Sequence, residues 1–217
     1  MASELHPDMH LELQPLRPDH AVVARWIAPG SSVLDLGCGD GSLLAWLQRE
    51  KQCRCVGVEL DDANVLASVK NGVEVVQQNL EEGLALFSDA SFDIVVQLES
   101  LQMVRNTEVI LNELGRVGRE SIVTFPNFAH WSHRIALLRG RMPVTKALPY
   151  QWYDTPNLRT ATLPDFAALA QRNGFALLAQ SALHEGRPVT FLPNLFGSLA
   201  LFRLRSNSRS NGRSNGK

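Results

Sequence analysis

The sequence predicts a doubly wound α/β fold: a mostly parallel, seven-stranded sheet with an antiparallel edge and an inserted segment. Three observations carry this. Strand-like and helix-like stretches alternate from about Leu16 to Leu204. The strands are short, near-continuous apolar runs, the pattern of a parallel sheet covered on both faces. The last two are joined by the short connection Ser181 to Gly197, which suggests an antiparallel closing edge.

Each element has its own local reason. Asp19 to Ile27 reads as a helix opened near a Pro-Asp start and stopped at Pro29-Gly30. Ser32 to Leu36 is a buried strand, and Gly41 to Glu50 a helix with apolar positions at Leu43, Leu44 and Leu47. A strand over Arg54 to Leu60 is followed by a helix over Asp61 to Lys70 that ends at Asn71-Gly72. Val73 to Gln77 and Phe92 to Gln97 are the third and fourth strands. Thr107 to Val117 is helical, and Ser121 to Phe125 is the fifth strand. Pro164 to Asn173 is a helix closed by Gly174. Phe175 to Gln180 and Ser198 to Leu204 close the sheet. The whole reads as one domain over residues 1–205. Pro126 to Leu163 is too long for an ordinary connection and too aromatic for a disordered one, so it is expected to be a lid or an interface. Ser206 to Lys217, polar and low in complexity, is expected to be a disordered tail.

Composition narrows the function. At 217 residues, 45% hydrophobic and 20% charged, with a formal net charge of −1, the chain has no electrostatic case for nucleic acid or an anionic membrane as partner. No apolar run reaches the ~20 residues of a membrane span, and the N-terminus lacks a signal-peptide core. Three cysteines make a poor disulfide framework, so a reduced cytoplasmic setting is expected. Cys53 and Cys55 have C-x-C spacing with no second ligand pair after it; alternation puts both on one strand face, where core packing explains them and no metal is needed.

The chemistry starts at "VLDLGCGDGSLL", Val33 to Leu44. Gly37, Gly39 and Gly41 follow the strand directly, so the backbone can pass close under a ligand while the next helix aims its free amides into the same space. In the dinucleotide fingerprint G-x-G-x-x-G such amides hold a pyrophosphate. Here the spacing is tighter, and Asp35 and Asp40 crowd the turn. Acids are wrong beside phosphate and right beside an ammonium and a sulfonium, which favours S-adenosylmethionine. The other strand ends agree. Glu59 can accept from a ribose diol. Asn79 can accept from the adenine amino group, although Asn also favours turns, and Leu80 can stack on the ring. Leu98 lies beside the sugar or methionine chain. With Cys38 in the loop and Leu60 after Glu59, the candidate set for S-adenosylmethionine or S-adenosylhomocysteine is Asp35, Gly37, Cys38, Gly39, Gly41, Glu59, Leu60, Asn79, Leu80 and Leu98.

Over Asp19 to Leu204 the chain resembles the class I S-adenosylmethionine-dependent methyltransferases, a Rossmann-like fold. It is similar more narrowly to the MetW family of methionine biosynthesis. "WIAPGSSVLDLGCGDGSLL", "SLQMVRN", "VGRESIVTFPNFAHW", "LLRGRMPVTKALPYQWYDTPN" and "LPDFAALAQRNGF" carry the likeness. General members of the class often have an acid where Asn79 stands, and "LEHV" where this chain has "LQMV". The MetW resemblance implies a partner, homoserine O-acyltransferase, and names no methyl acceptor. No residue declares itself a catalytic base. His130 and His133 lie after "FPN" and Asp154 in "QWYDTPN"; His130 is expected as a hydrogen-bonded loop residue, His133 on the surface, and Asp154 capping a turn. The leading expectation is an accessory or regulatory protein that binds S-adenosylmethionine. The alternative is an active methyltransferase acting on a small molecule.

Overall fold

A computed structural model describes residues 16–207 of the chain. An eight-stranded sheet in the order β3-β2-β1-β4-β5-β8-β6-β7 forms its centre. β1 (Ser32–Leu36), β2 (Arg54–Glu59), β3 (Glu74–Gln77), β4 (Phe92–Leu98) and β5 (Gly118–Pro126) are parallel. β8 (Leu199–Ser206) runs antiparallel between β5 and β6 (Phe175–His184), and β6 also pairs with β7 (Arg187–Pro188). The order reverses between β1 and β4, so the crevice where doubly wound sheets bind ligands lies above their carboxyl ends.

Side-chain alternation splits the core in two. Leu34, Leu36 and Val95 face the layer holding α4 (Thr107–Val117) and α6 (Leu163–Arg172), where Leu111, Leu114 and Phe166 meet Phe125 and Phe202. Val33, Ile94 and Val96 face α1 (Pro18–Trp26) and α2 (Ser42–Lys51), packing on Val23, Leu43 and Leu47. Cys53 and Cys55 are buried in this second layer as small apolar side chains. Caps set the helix limits: Asp61 accepts from Asn64 N–H at 3.0 Å to open α3 (Asp62–Lys70), and Thr162 accepts from Asp165 N–H to open α6. Gly174, at φ +76°, follows the end of α6.

The sheet departs from expectation at its antiparallel edge. It holds eight strands where seven were expected, because β6 runs on to His184 and turns back through Glu185-Gly186 into two-residue β7. Both turn residues have positive φ, +48° and +77°, as a type I′ hairpin requires. β8 reaches Ser206, one residue into the segment expected to be tail; residues 208–217 of that segment and 1–15 of the expected domain lie outside the described residues. The insertion carries a helix, α5 (Trp131–Leu138), and is stitched to the sheet's rim. Asn127 bridges to Ala161, and Leu158 and Arg159 both donate backbone N–H to the Gln102 carbonyl. A short helix, α7 (Pro193–Phe196), precedes β8. Among the described residues no helix is long and apolar enough to cross a membrane.

Candidate ligand site at the carboxyl edge of the sheet

The glycine loop is a tight knot. Gly37, Gly39 and Gly41 all have positive φ, from +57° to +83°. A Cβ on Gly37 would sit 3.0 Å from Ser100 Cβ, and one on Gly41 would sit 2.8 Å from Ser68 Oγ, whereas at Gly39 nothing lies within 4 Å. Gly37 and Gly41 therefore let the loop pack on the turn after β4 and on α3, and Gly39 leaves space open. Five of the amides here, those of Gly37, Cys38, Gly39, Gly41 and Ser42, are already bonded, where free ones were expected. Gly37 and Cys38 N–H donate to the Val58 carbonyl, Gly41 N–H to Cys38 O at 3.0 Å, and Ser42 N–H to Asp40 Oδ1 at 3.0 Å. Asp40, one of the acids that argued against phosphate, thus occupies an amide at the start of α2 that a phosphate would use.

Glu59 is the hub of this knot. Its Oε2 accepts from Gly39 N–H at 2.8 Å, and its Oε1 accepts from Leu60 N–H at 2.8 Å and Asp61 N–H at 3.0 Å. A carboxylate offers about four lone pairs, so Oε2 keeps one for a ligand hydroxyl. Asp35 lies behind the loop, 3% exposed, and its Oδ1 has no hydrogen-bond partner among the described residues. Burial, reinforced by the Glu59 charge, pushes its pKa up to about 7. Burial likewise pushes the Cys38 thiol up to about 12, with Asp35 adding to the effect, so Cys38 is an apolar wall and no nucleophile.

Six of the ten predicted residues, Gly37, Glu59, Leu60, Asn79, Leu80 and Leu98, line one cavity of 370 Å³. Asp35, Cys38, Gly39 and Gly41 are not among its lining; they build and charge the loop beside it. Asn79 adopts the turn role considered for it, its Oδ1 accepting from Glu81 N–H at 3.0 Å to cap a 3-10 turn. The second lone pair of that oxygen remains. Glu81 and Glu99 also line the cavity, and with Glu59 they give it three carboxylates and no Lys, Arg or His among the described lining residues. That set suits a cationic ligand and opposes a pyrophosphate.

Sequence reasoning missed Glu99. It follows β4 at φ +51°, an uncommon conformation for a non-glycine residue, and accepts from Arg17 Nη2 at 2.6 Å. The only signal was an acid ending an apolar strand, as Glu59 ends β2. His133 is a correction: it is buried, not on the surface. Because a carbonyl only accepts, Nδ1 carries the proton and donates to Phe128 O at 3.2 Å, which leaves Nε2 to accept from Thr145 Oγ1 at 2.9 Å. Burial lowers its pKa in keeping with this neutral tautomer, so it ties the insertion down. Asp154 is exposed in a turn whose N–H donates to the Gln151 carbonyl.

Residues 17–204 match the family model described as methionine biosynthesis protein MetW. The bifunctional methionine biosynthesis protein MetXA/MetW of Rhodopirellula baltica is 38% identical over 173 residues, 75% of this chain and 28% of that protein. The ubiquinone biosynthesis O-methyltransferase of Hahella chejuensis is 33% identical over 122 residues, 54% of this chain and 50% of the relative. The chain thus spans half or less of the length of these curated relatives. Among solved structures, an S-adenosylmethionine-dependent methyltransferase from Mesorhizobium loti superposes with a TM-score of 0.63 at 15% identity, over 85% of this chain and 96% of that one. The magnesium protoporphyrin IX methyltransferase of Synechocystis, solved with bound S-adenosylhomocysteine, gives 0.61 at 18% identity, over 86% and 81%. These structures share the fold, and the sequence match runs from Arg17 before α1 to Leu204 in β8: the chain belongs to the MetW family of methionine biosynthesis, built on a methyltransferase-like fold.

Proposed function

We propose that this chain binds S-adenosylmethionine or S-adenosylhomocysteine in the 370 Å³ cavity and acts as an accessory or regulatory partner of homoserine O-acyltransferase. The observation that carries the ligand is the lining of three carboxylates without a basic side chain. Glu59 offers its remaining lone pair to the ribose, Leu80 and Leu60 flank the base, Asn79 accepts from the adenine amino group, and Leu98 lies along the methionine chain. Glu59, Glu81 and Glu99 set the negative potential that a sulfonium complements. The bound group would bring a transferable methyl; this chain's residues bind it and keep phosphate ligands out. The partner reading rests on the family resemblance and on the bifunctional MetXA/MetW relative, in which a MetW portion shares one chain with MetXA. A cytoplasmic location fits both.

Calorimetry with S-adenosylmethionine, S-adenosylhomocysteine and NAD tests the ligand: the adenosyl compounds bind, and tight NAD binding without them overturns it. Co-purification with the acyltransferase, and acyl-transfer assays with and without this chain, test the partner. The second reading, a methyltransferase acting on a small molecule, is favoured by one observation: Glu99 faces a further cavity as well as the first.

A further inference from the structure

The 3-10 turn Leu101–Met103 after β4 parts two cavities. Met103 lines the 370 Å³ one, while Leu101 and Gln102 line another, of 260 Å³, between α6 and the start of α4. Its floor is the core itself: Leu101, Phe125 and Phe166 are buried, and the two phenylalanine rings lie 4.9 Å apart. Leu169 of α6 and Phe128 and Leu148 of the insertion extend the apolar wall. Backbone bonds hold that wall in place. Arg159 N–H donates to Gln102 O at 3.0 Å, and Phe128 N–H to Ala161 O at 2.9 Å.

The charges of the lining stand at its mouth. Phe166, Leu169 and Arg172 recur at three-residue spacing, so α6 turns one face to the cavity and ends that face in a cation. Arg172 is exposed and makes no hydrogen bond or ion pair among the described residues. Arg159, also exposed, donates Nη2 to Arg105 O at 2.6 Å and Nη1 to Leu158 O at 3.3 Å. Those carbonyls orient its guanidinium and leave its charge without a counter-ion. Asp165 is the one acid among the described lining residues. It is occupied locally, where its Oδ2 accepts from Thr162 Oγ1 at 2.6 Å in the cap of α6, and it pairs with neither arginine. Two guanidiniums against one carboxylate leave a positive charge in excess above an apolar chamber. Such a chamber with a few polar groups around it is the ordinary form of a small-molecule site.

We propose that this cavity binds a small apolar carboxylate, its body against the phenylalanines and its carboxylate at the mouth, where Arg159 and Arg172 stand. The carboxylate supplies the missing counter-charge in the form that a guanidinium fork matches best. The apolar body covers core side chains that otherwise face a void.

Calorimetry of the full chain with 3-phenylpropionate, 3-phenylpropanol and 3-phenylpropylamine tests this, since the three probes share a body and differ in charge. No adenosyl compound is present, so the result is separate from the use of the 370 Å³ cavity. The carboxylate is expected to bind at least about tenfold more tightly than the alcohol, and the amine more weakly than either. Arg172→Gln has no bond to lose and should fold. It should weaken the carboxylate by about fivefold or more and leave the alcohol unchanged. In the unmutated protein, titration with the carboxylate should shift the methyl resonances of Leu148 and Ala161, while those of Leu60 and Leu80 in the 370 Å³ cavity stay in place. The proposal is overturned by alcohol or amine binding as tight as that of the carboxylate, or by no binding of any probe at millimolar concentration. Unchanged carboxylate affinity in Arg172→Gln, or shifts at Leu60 and Leu80 in place of Leu148 and Ala161, overturns it equally.

Discussion

Asp35 is a buried acid whose pKa rises from an ordinary 3.8 to about 7 on folding. An acid that holds its proton more tightly when folded contributes stability that is full below its unfolded pKa and lost as pH rises through the folded one. Urea midpoints should therefore fall between pH 4 and 7, and fall less in Asp35→Asn; equal slopes in the two proteins would show that Asp35 does not titrate in this way. Glu59→Ala strands the three backbone N–H groups that its carboxylate now accepts, so it should cost about 1–3 kcal/mol in unfolding as well as weakening the adenosyl ligand. The glycines separate the two effects. Gly39→Val meets open space and about 1–2 kcal/mol of backbone strain, so it should fold and lose ligand, while Gly41→Ala adds a collision with Ser68 and should melt lower than Gly39→Ala. Residue types at strand ends made Glu59 and the glycines legible in the sequence. Their partners were not, because the loop's own hydrogen bonds depend on which carbonyl or carboxylate the turn brings near: Val58 O and Asp40 Oδ1 answer amides that the motif alone left open.

At the scale of elements, the strands β1, β2, β4 and β5 and the helices between them followed from apolar runs and caps, because a strand in the interior of a parallel sheet has little sequence freedom. The hairpin β6–β7 escaped because Glu-Gly is a weak signal for a turn that favours Asn-Gly. Glu185 at φ +48° carries that mismatch, and Glu185→Asn should raise the unfolding free energy by about 0.5–1 kcal/mol, outweighing the exposed pair with Lys146. An unchanged or lower melting temperature would mean the turn is not strained there. The insertion hid its helix and its buried His133 for a different reason: a histidine's place is decided by whether both ring nitrogens find partners, and Phe128 O and Thr145 Oγ1 come from segments far apart in the pattern.

On the whole molecule, the tryptophans and tyrosines of the insertion are exposed. Trp152 and Tyr153, packed edge to face at 5.6 Å, are 69% and 70% exposed, and neither lines the 370 Å³ cavity. This favours an interface over a lid, with aromatic and arginine residues of the kind that dominate hot spots. Trp152→Ala should weaken co-purification with the acyltransferase by about 2 kcal/mol or more while ligand affinity holds; loss of ligand with an intact complex would make the segment a lid. The sheet order has a consequence for synthesis on the ribosome. β8, the last strand among the described residues, lies between β5 and β6, so β6 has no place in the sheet until residue 199 and those after it have emerged. Until then β5 presents a bare edge, and the α1 turn waits for the hairpin that packs on Pro18. A nascent chain stalled just short of β8 should thus be protease-sensitive and recruit chaperones, and release of β8 should lock the sheet's edge and the turn at Pro18 at once.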